Sequence, residues 1–191
     1  LRKAQNLFEE LHVRNVVSWN VVMEGCVQHG QFHEILDYAE QMQNEGLSPD
    51  AVTFTCILKV CGNIRDFNKG KQIHEEIINR GLLEKDIVLG NALVDMYSKC
   101  GSVYDAKLVF DQMLHHDTIS WNTMLAAYVQ AGQQDDALFL FDRMQSERIS
   151  MDKITFVTLL GACTNANTFP LAKELHHNVV CCGFDLDAVV G

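Results

Sequence analysis

The sequence predicts an all-α fold, a solenoid of stacked antiparallel helix pairs. Three observations carry that expectation: the chain repeats itself at fixed spacing, each repeat holds two helical apolar stripes, and glycine tends to separate them. Ser18-Trp19-Asn20 returns as Ser120-Trp121-Asn122, an offset of 102 residues. Val27-Gln28 with Gly30-Gln31 returns as Val129-Gln130 with Gly132-Gln133, Thr53-Phe54 as Thr155-Phe156, Cys61 as Cys163 and His74 as His176, all at that offset. Self-similarity of this kind marks a repeat architecture. A lone helix pair cannot bury its apolar face, so neighbouring pairs must stack on one another.

The long period has substructure. Residues 1–15 align as the back half of a unit, with Ala4, Phe8 and Asn15 matching Ala106, Phe110 and Asp117. Five units follow at 16–50, 51–86, 87–117, 118–152 and 153–187, with 35, 36, 31, 35 and 35 residues, and 188–191 begin another. In 118–152, Ile119, Met124, Leu125, Tyr128 and Val129 have helical spacing, as do Ala137, Leu138, Phe141 and Met144 beyond Gly132. Val-Val-Ser-Trp and Val-Thr-Phe have strand propensity, but each opens a stripe of about three turns, and tertiary context overrides propensity. Gly30, Gly101 and Gly132 stand at the break, where positive φ is favoured; Arg65 and Asn167 take that place elsewhere, so their turns are expected to differ. A small residue recurs early in the second helix (Ala4, Gly70, Ala106, Ala137, Ala172). Ile35 is the exception, which predicts looser or shifted packing there.

Composition narrows the function classes. The 191 residues are 48% hydrophobic and 21% charged, with two prolines, which excludes proline-rich linkers and low-complexity chains. A net charge of −10 opposes non-specific duplex DNA binding. No apolar run reaches bilayer length, so no membrane role is expected. The cysteines Cys26, Cys56, Cys61, Cys100, Cys163, Cys181 and Cys182 are odd in number and lack C-x-x-C spacing, which predicts buried free thiols. The pairs His115-His116 and His176-His177 and the couple His29/His33 lack converging ligands, so neither metal nor other cofactor is expected. No zinc-deaminase signature, Walker loop, nucleophile elbow or dinucleotide fingerprint occurs, and no catalytic residue is assigned.

Unit lengths of 35, 36 and 31, with Val-Ser-Trp-Asn, Gly-Asn-Ala-Leu-Val-Asp-Met-Tyr-Ser-Lys-Cys-Gly, Ala-Lys-Leu-Val-Phe-Asp-Gln-Met and Leu-Ser-Pro-Asp, resemble pentatricopeptide repeats. The alternating lengths are similar to the PLS subclass, with P units at 16–50 and 118–152, L units at 51–86 and 153–187, and S units at 87–117 and, in part, 1–15. The resemblance implies a right-handed α-solenoid and sequence-specific binding of single-stranded RNA, one nucleotide per repeat, in mitochondria or chloroplasts. It also implies that the chain is the recognition segment of an RNA-processing or C-to-U editing factor with editing or processing protein partners. A tetratricopeptide-like scaffold for a protein partner is the alternative, favoured by the acidity and the few lysines.

By the same resemblance, base-reading pairs are Asn20 with Asp50, Thr55 with Asp86, Asn91 with Asp117, Asn122 with Asp152, and Val157 with Asp187. Asparagine with aspartate implies uridine and threonine with aspartate guanosine. Val157 cannot hydrogen-bond a base, which gives approximately U-G-U-U-N across 16–187. Val17, Val52, Val88, Ile119 and Ile154, all β-branched, match the base-sandwiching place. Taken alone, these five could also be first-turn core residues, the asparagines helix caps, and the aspartates caps of the next helix. Lys99 matches a phosphate-facing place that Gln28, Asn63, Gln130 and Asn165 fill in the other units. Because the chain begins and ends inside repeats, end-to-end self-association is expected. Sedimentation should show mass rising with concentration, and a strictly monomeric chain would contradict it.

Overall fold

The computed structural model describes residues 2–162. Asp187, Cys163, Cys181, Cys182, Asn165, Asn167, Ala172, His176, His177 and the segment 188–191 lie outside them. Ten helices occur among the described residues: α1 (Arg2–Glu9), α2 (Val16–Gln28), α3 (Phe32–Asn44), α4 (Ala51–Ile64), α5 (Phe67–Asn79), α6 (Ile87–Lys99), α7 (Val103–Gln112), α8 (Thr118–Gln130), α9 (Gln134–Ser146) and α10 (Lys153–Ala162). The strand-prone segments are helical because each is capped and amphipathic. Asn15, Asp50 and Asp117 accept from the backbone N–H of Ser18, Thr53 and Ser120, whose hydroxyls engage the cap in return. Asp86 accepts from the N–H of both Val88 and Leu89. Such a cap stabilises a helix by about 1 kcal/mol. No described helix is long and apolar enough to cross a membrane.

The described residues divide into two compact units, one ending at Met113 and one beginning at Leu114. In the first, α4 packs against both α2 and α6, and α3, α5 and α7 each back the helix before them. In the second, α8 packs against α9 and α10. The fourth residue of the leading helix anchors most of these pairs: Trp19, Phe54, Trp121 and Phe156 are all buried. Removing 150–250 Å² of indole from water is worth at most roughly 4–6 kcal/mol. Trp19 meets Phe8 edge-on at 4.6 Å between centroids, which ties α1 to α2. Arginines lie over the faces of three of these rings: Arg14 is 5.5 Å from Trp19, Arg80 5.2 Å from Phe54 and Arg143 5.2 Å from Trp121. In α6 the fourth residue is Gly90, and Met113 fills the space, 2.9 Å from where a Cβ would stand.

Ile35 is fully buried in the place that Ala106 and Ala137 hold elsewhere, and a cavity of about 510 Å³ lies between α3 and α5, lined by Leu36, Ala39, Ile57 and Ile73. Cys26, Cys56 and Cys61 are buried free thiols, and Cys100 is half-buried. Burial, chiefly, pushes Cys26 and Cys61 up to about 11 and Cys56 up to about 12, so these stay protonated at neutral pH.

The turn at Arg65 differs from the sequence expectation, because it matches the glycine turns. Arg65 sits at φ 56°, as Gly30 sits at φ 70°. Both turns carry the same two hydrogen bonds: Gly30 N–H to Val27 and Gln31 N–H to Cys26, and Arg65 N–H to Gly62 and Asp66 N–H to Cys61. The paired bonds hold the left-handed residue whatever its side chain, and the Arg65 side chain extends into solvent. Arg148 ends α9 the same way, at φ 56°. A left-handed non-glycine residue costs roughly 1–2 kcal/mol. Arg148→Gly should therefore raise stability in urea unfolding by about 0.5–1 kcal/mol after the flexibility of glycine is offset. Gly132→Ala should lower it by roughly 1–2 kcal/mol from backbone strain alone, since nothing lies within 4 Å of the added Cβ.

Candidate nucleic-acid interface

Each leading helix opens with the same order of side chains, and the helical turn sorts them. The second residues, Val17, Val52, Val88, Ile119 and Ile154, are 50% to 68% exposed. That excludes the core role the sequence left open for them. The fourth residues point inward, as above. The fifth residues, Asn20, Thr55, Asn91 and Asn122, are buried apart from an edge, and Val157 is 38% exposed. The asparagines are not caps; they stand one turn inside helices capped by Asn15, Asp86 and Asp117.

In the unit 16–50 the predicted residues come together. A cavity of about 680 Å³ is lined by Val17, Asn20, Val21, Asp50 and Val52, and runs down α2 past Glu24 to Gln28 and His29. Asn20 Nδ2 donates to Asp50 Oδ1 at 2.9 Å, and Asn20 Oδ1 lies 2.7 Å from the Thr53 hydroxyl. The same arrangement recurs at Asn122: Nδ2 to Asp152 Oδ1 at 2.9 Å, Oδ1 to the Thr155 hydroxyl at 2.7 Å. The aspartates thus combine two roles, receiving the asparagine amide and capping the next helix through the N–H of Thr53 and Thr155. The asparagine amide, the threonine N–H and the threonine hydroxyl all lie against Oδ1 of Asp50 and of Asp152. Partial burial opposes the charge of these carboxylates, but bonds from the threonine N–H, the asparagine and the threonine hydroxyl hold both below the usual range.

The other predicted residues are placed differently. The Thr55 hydroxyl donates to Ala51 O at 2.9 Å, and Asp86 is occupied with the N–H groups of Val88 and Leu89, so no hydrogen bond joins this pair. Asn91 is buried on α6, and Asp117 accepts from Ser120 N–H at 2.8 Å. Lys99 is tied to Asp95 one turn earlier, at 2.8 Å. Two features escaped sequence reasoning. Lys59 on α4 pairs with Glu24 on α2 at 3.7 Å beside the cavity. Thr53 and Thr155 hold the asparagine amides, and their signal was the Asp-x-x-Thr spacing of a capping box.

Family models described as the PPR repeat family match residues 14–63 and 116–165, and those described as PPR repeat match 52–82 and 91–117. The chain belongs to the pentatricopeptide repeat (PPR) family. A chloroplastic pentatricopeptide repeat-containing protein of Arabidopsis thaliana is 36% identical over 185 residues, 96% of this chain and 21% of that protein. A mitochondrial one from the same plant is 36% identical over 191 residues, 100% of this chain and 18% of that protein. The chain spans about a fifth of the length of these relatives. Among solved structures, the pentatricopeptide repeat protein PPR10 from maize shares the fold at a TM-score of 0.68, with 24% identity over 95% of this chain and 27% of that one. PPR10 in complex with an 18-nt psaJ RNA element superposes at 0.74, with 19% identity over 97% and 28%.

The two aspartates give stability a pH signature. Their folded-state titration lies below the unfolded value of about 3.9, so their contribution is complete above that pH and is lost as pH falls through the folded value. Denaturant midpoints should fall from pH 5 toward pH 3, and a variant carrying Asp50→Asn and Asp152→Asn, which keeps capping ability, should lose part of that slope. An identical slope in the variant would show that the carboxylates contribute nothing.

Proposed function

We propose that the chain binds single-stranded RNA along its leading helices, one nucleotide per unit, as the address-reading segment of an organellar RNA-processing or C-to-U editing factor of the PLS type. One observation carries this reading: the cavity beside α2 sets an amide and a carboxylate between two exposed β-branched side chains, Val17 and Val52. Apolar side chains on both sides favour a flat ring, and the amide offers it both a donor and an acceptor. A peptide-binding scaffold has no need of that combination. The names of relatives add support, since they include chloroplastic and mitochondrial pentatricopeptide repeat proteins and one solved structure is an RNA complex. A mitochondrial or chloroplast location follows from the same reading. The chain's part is recognition; catalysis and protein partners belong to the whole factor.

The units 16–50, 51–86, 87–117, 118–152 and 153–187 act as P, L, S, P and L repeats reading roughly U-G-U-U-N. The readers are Asn20/Asp50, Thr55/Asp86, Asn91/Asp117, Asn122/Asp152 and the permissive Val157/Asp187. Val17, Val52, Val88, Ile119 and Ile154 are the sandwiching residues. Lys99 is the one residue placed for phosphate, and its bond to Asp95 weakens that role. Binding should be weak and its salt dependence shallow, on the order of −0.7 in logarithmic slope per phosphate neutralised. Asn122→Thr should move preference at the fourth nucleotide from uridine toward guanosine by about 1–3 kcal/mol and leave the other nucleotides alone. Titration with RNAs varied at that nucleotide tests this. An equal loss for all four bases would make Asn122 structural.

A further inference from the structure

Thr53 and Thr155 are the third residues of α4 and α10, and both are fully buried. Each hydroxyl has one proton to give and accepts from the N–H of the capping aspartate, at 3.2 Å in both cases. For that proton two acceptors lie within reach. Asn20 Oδ1 is at 2.7 Å and Asp50 Oδ1 at 3.0 Å; the corresponding distances for Thr155 are 2.7 Å and 3.1 Å. The aspartate oxygen already receives the threonine N–H and the asparagine amide, whereas the amide oxygen receives nothing else. The proton therefore goes to the shorter contact. A closed circuit results: aspartate N–H to threonine oxygen, threonine proton to amide oxygen, amide nitrogen to carboxylate, and threonine N–H to the same carboxylate. A carboxylate only accepts, so the amide end facing it must be nitrogen. Each amide is thus gripped at both ends, with one N–H and one lone pair left over.

The chain contains its own contrast. The third residue of α6 is Leu89, which has no hydroxyl, and the fifth residue of the preceding leading helix is Thr55, whose hydroxyl turns back to Ala51 O. The grip is found at the amides of Asn20 and Asn122, and Thr55, which has no amide, turns away.

We propose that Thr53 and Thr155 are positioning residues that determine specificity: by holding the amide oxygen they fix the direction in which Asn20 and Asn122 present donor and acceptor, and so enforce uridine over cytidine. This rests on the RNA reading of those asparagines proposed above. Uracil offers a donor at N3 and an acceptor at O4; cytosine offers an acceptor at N3 and a donor at N4. A turned amide exchanges its own donor and acceptor, and with them the base it suits. Threonine stops that turn together with the aspartate, and its loss also leaves a buried oxygen without a donor.

The test is binding of the full chain to four single-stranded RNAs that differ only at the nucleotide facing 118–152, the fourth of U-G-U-U-N. Thr155→Val should lower the uridine-to-cytidine affinity ratio by about 2–10-fold, as expected for one hydrogen bond, at that nucleotide alone. Thr155→Ser, which keeps the hydroxyl, should retain the ratio, and Asn122→Ala should abolish the preference. A merely structural threonine, acting through the capping box, would weaken binding to all four RNAs equally and leave the ratio unmoved. If Asn122→Ala removes the preference and Thr155→Val does not, the threonine inference fails and the RNA reading stands. If the unaltered chain has no preference at that nucleotide, or Asn122→Ala does not change it, the RNA reading fails and the inference with it. A readout without variants is the Asn122 side-chain amide in the free protein. Its proton bonded to Asp152 should exchange with solvent more slowly than the side-chain protons of an exposed asparagine, and equal exchange rates would overturn the grip.

Discussion

Each leading helix starts on a residue that belongs, by sequence register, to the unit before it. Asp50 closes one unit and caps α4; Asp117 does the same for α8, and Asp152 holds the N–H of Thr155 at the start of α10. An uncapped helix start leaves several N–H groups without partners, so this joint must be filled by an acceptor. At Asp50 and Asp152 the acceptor also holds the preceding asparagine amide, which ties α2 to α4 and α8 to α10. Under the proposed reading, recognition at Asn20 and Asn122 draws on the same carboxylates that join these helices.

The rest of the interface follows from helical geometry. Successive residues turn by about 100°, so the second, fourth and fifth residues of a helix face three directions. The fourth is committed to the interior, as Trp19, Phe54, Trp121 and Phe156 show. With that ring anchored, the helix cannot roll, and the second residue must stand in solvent while the fifth sits at the border. In α2, α4, α8 and α10 the buried ring is thus the geometric reason that the second and fifth residues keep a constant relation; in α6 Met113 packs against Gly90 instead.

Most of the helical architecture was legible because it is periodic. The spacing of Trp19 and Trp121, the glycine breaks and the apolar stripes recur at fixed offsets, and nothing non-local competes with them. The turn at Arg65 was not legible. Residue identity suggested a different conformation, but the hydrogen bonds to Cys61 and Gly62 decide the backbone, and an exposed side chain tolerates it. The asparagine position was legible as a recurring polar residue, while its partner at Thr53 was hidden. A threonine three residues after an aspartate reads as an ordinary capping box, and only the packing of α2 against α4 brings its hydroxyl to Asn20. The charge pair Lys59–Glu24 was hidden for the same reason: it joins two helices 35 residues apart in sequence.

Those charge pairs bear on how an acidic chain could hold a polyanion. Lys59 is turned to Glu24 and Lys99 to Asp95, each within or beside the leading helices, so neither is an uncommitted cation. An exposed pair of this kind is worth at most about 1 kcal/mol, and a phosphate could compete for the lysine, but only by leaving the carboxylate behind in a region already negative. Under the proposed reading, Lys59 and Lys99 therefore add little backbone attraction. On that reading, what remains is stacking of bases between exposed β-branched side chains, roughly 1–3 kcal/mol per base where aromatic side chains do the stacking and less for valine, plus hydrogen bonds at the base edge. Stacking is indifferent to sequence, while the edge contacts are not. A binder with few free cations gains little from wrong sequences, since the sequence-independent part of its affinity is small. The same scarcity of lysine that makes five repeats weak also raises the fraction of their binding energy that discriminates, and many repeats in series would recover the affinity without losing that fraction.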